Sequence, residues 1–250
     1  MINKTSFAVL LLTASMSFAA VNAQADGHQD AKAIQVLKDM AAYRASLDDV
    51  IIRGVILTDA RLAHGLMVSN SEDVRVSISR PASMNISSFD GEVAKGLYFD
   101  DGLLTVYNSG NKLYAQAEIP KEIDAAMEFA LEELDIEAPL MDLIYQDAST
   151  HLIGSGEEIM YLTDKSRVGG TDCHHLAIRG SEVDVQLWVE EGDQPVARKI
   201  MITSKWEGGS PRFVANLMWD TAPKFKPDTF KFTAPEGASK IEFVNGGDAQ

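Results

Sequence analysis

The sequence predicts an α+β fold: a strongly curved antiparallel sheet with helices packed on its concave face. Three observations lead there. Apolar residues recur at three- and four-residue spacing in two parts of the chain, near its start and its middle. Elsewhere they alternate with polar residues at a period of two, in short runs joined by short turns, which is how antiparallel meanders read. Roughly ten such strands would curl through their own twist, and the intervening helices must bury their apolar stripes against the hollow side.

The composition sets bounds. The chain has 250 residues, 46% hydrophobic and 24% charged, enough for one large domain. Its net charge of −15, from 37 acidic and 22 basic side chains, repels phosphate backbones and argues against nucleic acid as a partner. A single cysteine excludes an intramolecular disulfide framework and any multi-cysteine zinc site.

Residues 1–23 read as a secretory signal peptide: Lys4, an apolar run from Phe7 to Ala20, then small residues with cleavage after Ala23 or, shifted, after Ala25. The apolar run falls short of the roughly 20 residues that span a bilayer, and no later stretch approaches that length. The expected product is periplasmic, with residues 24–250 as a single domain ordered from about 30 to 245.

Asp30 caps the first helix, where Ile34, Leu37, Met40 and Ala41 form one apolar face ending near Leu47. From Val50 to Ile119 the period is two: Val74, Val76 and Ile78 alternate with Arg75, Ser77 and Ser79. Asp101-Gly102 makes a tight turn, and Asn108-Ser109-Gly110-Asn111 the next. Pro120 opens a helix with the stripe Ile123, Met127, Ala130, Leu131 and Leu134, and Pro139 a shorter one carrying Leu140, Met141, Leu143 and Ile144. A further helical turn is expected over Ser149 to Ile153. Strands resume near Glu158, with Val183, Val185, Leu187 and Val189 alternating inward, and the tail from Gly246 frays. Leu103-Leu104, Ile51-Ile52 and Ile200-Met201 put apolar residues on both faces, as expected of a sheet that is covered on one side and lines a cavity.

The stretch Val168-Gly169-Gly170-Thr171-Asp172-Cys173-His174-His175-Leu176-Ala177 resembles a family of uncharacterised predicted periplasmic proteins, a domain of unknown function. So do Val185 to Glu190, the Pro195 to Thr203 strand and the closing Phe230 to Ala238. That family is similar in architecture to the lipoprotein-carrier superfamily of LolA, LolB, LppX and RseB. The resemblance implies an unclosed β-barrel whose helices plug an apolar cavity for acyl chains or lipid-like ligands. Arg53 and Arg75 lie on early strands, but no motif fixes either to the arginine that the carriers place in that cavity.

The expected activity is therefore binding or carriage of a lipid, acyl chain or other apolar ligand, released by lid displacement, with no catalytic residue and no cofactor. The ligand-binding candidates are Met127, Leu131, Leu140, Met141, Ile144, Trp188 and Met201. Met67, Met84 and Met218 add to an adaptable methionine set whose plainer reading is core. Trp188 sits on the polar face of its strand, packed against a helix or extending a binding surface. An envelope protein is the alternative partner, for a module that senses or regulates envelope state.

Cys173 and His175 are the weak metal or nucleophile candidates. On a strand they face one way, and His174 faces the other with Leu176 and Ile178. No spacing supplies further ligands from His28, His64 or His151, and a small core thiol beside hydrogen-bonded imidazoles is the plainer reading. Gly154-Ser155-Gly156 lacks the outer pattern of a nucleophile elbow.

Overall fold

The computed structural model describes residues 29–146 and 158–243. The expected signal segment, the turn over Ser149 to Ile153, the frayed tail from Gly246, His28, His151 and Gly154-Ser155-Gly156 lie outside those residues.

Helix α1 (Ala31–Ala45) starts where expected, with the Asp30 carboxylate accepting from the Lys32 amide at 2.8 Å. It buries Ala33, Val36, Leu37, Met40 and, unexpectedly, Arg44. Six strands follow as a meander: β1 (Asp49–Arg61), β2 (Met67–Ser79), β3 (Ser83–Phe89), β4 (Ala94–Asp100), β5 (Leu103–Asn108) and β6 (Leu113–Glu118). Asp101 and Gly102 carry φ of 47° and 90°, the paired positive values that let a two-residue turn follow the strand twist.

Helices α2 (Ile123–Leu134) and α3 (Met141–Ile144) form the insert. A second meander then runs through β7 (Glu158–Val168), β8 (Thr171–Arg179), β9 (Val183–Glu190), β10 (Ala197–Ser204) and β11 (Arg212–Asp220). Pairing of β1 with β11 joins the two meanders into one 12-stranded sheet. From edge to edge its order is β12-β6-β5-β4-β3-β2-β1-β11-β10-β9-β8-β7, with β12 the short strand Ser239–Ile241. It is an unclosed, strongly curved sheet with the helices on its concave face.

One pairing departs from expectation: β12 runs parallel to β6. Residues 221–238 leave β11 mid-sheet and reach the β6 edge by crossing the convex face, so the chain arrives in the direction of its neighbour. Phe232 fastens this strap, its ring centroid 5.3, 5.6 and 5.1 Å from those of Tyr98, Tyr107 and Tyr114. No alternation betrays β12, because all three of its residues are exposed.

The core lies between helices and concave face, where Ile52, Ile56, Val76, Met84, Phe99, Leu104, Leu176 and Leu187 meet Leu37, Ile123, Met127 and Ile144. Of the two-faced apolar pairs, Ile51 is also buried, whereas Leu103 is 45% exposed and Met201 half-buried.

Candidate functional site

The insert covers the concave face as a lid. Met127, Leu140, Met141 and Ile144 are each at most 7% exposed, and Leu131 packs beside them against the core. Leu140 reaches inward only by adopting a left-handed backbone, φ 65°, a costly conformation for a branched residue.

Polar contacts fasten the lid mainly where α2 begins and α3 ends. The Ile123 amide donates to Pro81 O at 3.0 Å. Arg44 Nη1 donates to Leu143 O at 3.2 Å and Ile144 O at 3.0 Å. Arg80 Nη1 meets Asp124 Oδ1 at 3.1 Å, and Arg80 Nη2 also donates to Ile144 O. Asp124 Oδ2 in turn accepts from the Gln146 amide at 2.8 Å. These two arginines, from α1 and the β2–β3 corner, hold the insert to the rest of the fold and went unread in the sequence.

The other two candidates lie elsewhere. In antiparallel pairs, residues directly opposite one another share a face. The row His175, Trp188, Lys199, Asn216 and Val55 runs along the convex side, with Met201 opposite Gln186 on the same side. Trp188 and Met201 therefore do not join the five lid residues. The Trp188 ring stacks on His175 at 4.1 Å and 14°, carries the Lys199 ammonium 4.6 Å from its centroid, and donates Nε1–H to Ser166 Oγ at 3.0 Å. Its cover is this set of sheet side chains, so the helix expected against it is replaced by neighbours from its own sheet.

Cys173 and His175 face the convex side and His174 the concave side, as the alternation predicts. Burial pushes the Cys173 thiol up, away from the thiolate form that a nucleophile or metal ligand needs. Burial pushes the His175 imidazole down, against the raising effect of its 3.1 Å bond to Gln186 Oε1. His174 Nδ1 sits 2.7 Å from Tyr161 Oη and 3.6 Å from Glu191. Among the described residues, no group of three or more His, Cys, Asp or Glu side chains is arranged to hold a metal ion. Arg53 and Arg75 also face the convex side, away from the lid.

The family model described as "Predicted periplasmic protein (DUF2092)" matches residues 33–244. The chain belongs to that family. A comparison with curated proteins finds no match. Among solved structures, the chain is similar to LprF from Mycobacterium bovis, at 14% identity and a TM-score of 0.47, covering 85% of this chain and 100% of that one. Similarity to the Mycobacterium tuberculosis lipoprotein LppX has 9% identity and a TM-score of 0.46, covering 78% and 98%. For the Pseudomonas aeruginosa MucA/MucB complex the values are 16% and 0.44, covering 82% of this chain and 62% of that one. No helix among the described residues is long and apolar enough to cross a membrane.

Proposed function

We propose that the protein is a non-enzymatic periplasmic binding protein that holds an apolar ligand, a lipid or an acyl chain, between the curved sheet and the α2–α3 lid. The observation that carries this reading is the construction of the lid. Its underside is apolar and methionine-bearing, and its main polar fastenings are Arg44 and Arg80, which grip backbone carbonyls and one carboxylate rather than a buried network. A lid held this way can lift and let an acyl chain take its place, driven by about 25 cal/mol per Å² of apolar surface buried. The burial of Cys173, which pushes its thiol up and away from the nucleophilic thiolate, supports a reading without thiol chemistry.

The test is native mass spectrometry of protein purified from periplasm without detergent, followed by solvent extraction. A co-purifying lipid or acyl species that is lost in Leu131→Glu and Met127→Asp, both folded by circular dichroism, is the expected result. A bare protein mass, or retention unchanged in both variants, overturns it.

A further inference from the structure

The convex face carries a groove of about 510 Å³ that the lid does not touch. Its floor follows one cross-strand row: Met218, Arg53, Arg75, Ser87, Gly96 and Tyr107, on β11, β1, β2, β3, β4 and β5. Side chains of such a row point to one face. Ser87 and Gly96 are its smallest members, so the surface dips between the two guanidiniums on one side and the rings of Tyr98 and Tyr107 on the other. The Tyr98 ring lies over the buried Gly96, where a Cβ would sit 2.7 Å from Tyr98 Cε2, so the ring walls the dip and Ser87 is its floor. Phe89 and Met218, 45% and 62% exposed, extend the apolar wall.

Arg53 and Arg75 stand directly opposite one another, a like-charge pair that weakens a sheet. Both are half-buried, and neither side chain makes a hydrogen bond or ion pair with a described residue. Asp220 acts on Arg75 only through its field, and Asp73 lies on the groove wall. Burial, with the charge of Arg53 next, disfavours the Arg75 cation. On a chain of net charge −15, two half-buried guanidiniums side by side in an apolar hollow, without an ion-pair partner among the described residues, are a local concentration of positive charge.

We propose that this groove binds a single-chain anionic amphiphile, its carboxylate or phosphate head between Arg53 and Arg75 and its apolar chain along Ser87 against Tyr98, Tyr107 and Phe89. Guanidiniums match such heads bidentately, and the groove volume falls within the roughly 300–1,000 Å³ of small-molecule sites. A bare anion would leave the apolar walls wet, and a cationic head would meet the arginines. The site lies on the opposite face from the lid and is independent of the lid reading.

Isothermal titration calorimetry with laurate, dodecyl phosphate and dodecyltrimethylammonium, all below their micelle concentrations, tests it. Laurate or dodecyl phosphate should bind at least about tenfold tighter than the cation, and the tighter of the two identifies a free acid or a phosphate head. Arg53→Gln/Arg75→Gln should weaken the anion about tenfold or more at this site, and Ser87→Phe, which fills the dip, should abolish the arginine-dependent binding. In a Met127→Asp background, folded by circular dichroism, the head-group-dependent binding should persist and keep its dependence on Arg53, Arg75 and Ser87. Equal affinity for the three probes, or an unaltered double variant that is folded by circular dichroism, overturns the proposal. Binding lost in Met127→Asp but kept in Ser87→Phe overturns it as well, and assigns the ligand to the lid.

Discussion

Replacing Arg80 by Met should loosen the lid without unfolding the sheet. The side chain is 12% exposed, and its guanidinium makes two contacts with the lid, an ion pair with the partly exposed Asp124 and a charge-assisted bond to the Ile144 carbonyl. A partly exposed ion pair contributes at most about 1 kcal/mol, and a hydrogen bond from a charged donor about 1.5–3 kcal/mol. Methionine retains the apolar stem, so the expected loss is about 2–4 kcal/mol, borne by lid closure. At about 1.4 kcal/mol per factor of ten, the open fraction rises roughly 30- to 700-fold. Native-state hydrogen exchange reads this directly at the α2 amides of Ala126, Met127 and Ala130. Their exchange should accelerate by that factor, up to the limit set by global unfolding, while the central β1 and β2 amides barely change. Acceleration in step with β1 and β2, or none at all, would show that lid and sheet open as one unit and would refute the fastening argument.

Three further outcomes are expected. Leu37→Ala empties a fully buried position of α1 and should cost about 2–5 kcal/mol, lowering the melting temperature by about 2–4 °C per kcal/mol in a circular dichroism melt; a shift under 2 °C would contradict the packing. Phe232→Ala removes the ring held by three tyrosines and should expose the 221–238 strap to limited proteolysis at a protease dose that leaves the parent intact. His175, whose folded-state pKa is depressed by burial, contributes stability that is complete above about 6.5 and declines as pH falls through the lowered folded value, because the unfolded chain takes up the proton first. In denaturant titrations across that window, His175→Gln should flatten the slope; an unchanged slope would place its origin elsewhere.

What the sequence revealed depended on whether the signal was local. The α1 and α2 faces and the β1–β6 meander follow from spacings within one element, and Asp30 and Asp101-Gly102 declare their cap and turn by residue type. Arg44 could have been noticed: it continues the buried spacing of Ala33, Leu37 and Met40, so an arginine stands in the apolar stripe of α1. The orientation of Cys173, His174 and His175 was legible for the same reason. Trp188 was not, since its cover comes from His175 on β8 and Lys199 on β10, neighbours that only register creates. The Arg53–Arg75 pair is likewise a product of register: each strand by itself shows one arginine at a polar position.

The openness of the sheet has a cause in its two edges. Closing the barrel would require β7 to pair with β12, and these strands are mismatched: β7 has 11 residues, β12 three. The register of β7 is irregular between Tyr161 and Ser166, which bends an edge away from further pairing. Its start is already engaged, because Gln29 bridges Ile159 and the Asp30 amide donates to Ile159 O at 2.8 Å. The β12 edge is short, exposed and carries Lys240, a common defence against strand addition. With no strand among the described residues filling the hollow, the apolar concave side is covered by helices, and a helix satisfies its backbone hydrogen bonds internally. On the proposed reading, lifting the α2–α3 segment costs its side-chain contacts, the arginine anchors and the Ile123–Pro81 backbone bond, and leaves the sheet ladders intact. Backbone protection should divide along that line, with sheet amides still protected under conditions where α2 exchanges freely. Were the sheet ladder to exchange together with α2, the lid would be part of the sheet's cooperative core and could not serve as a door.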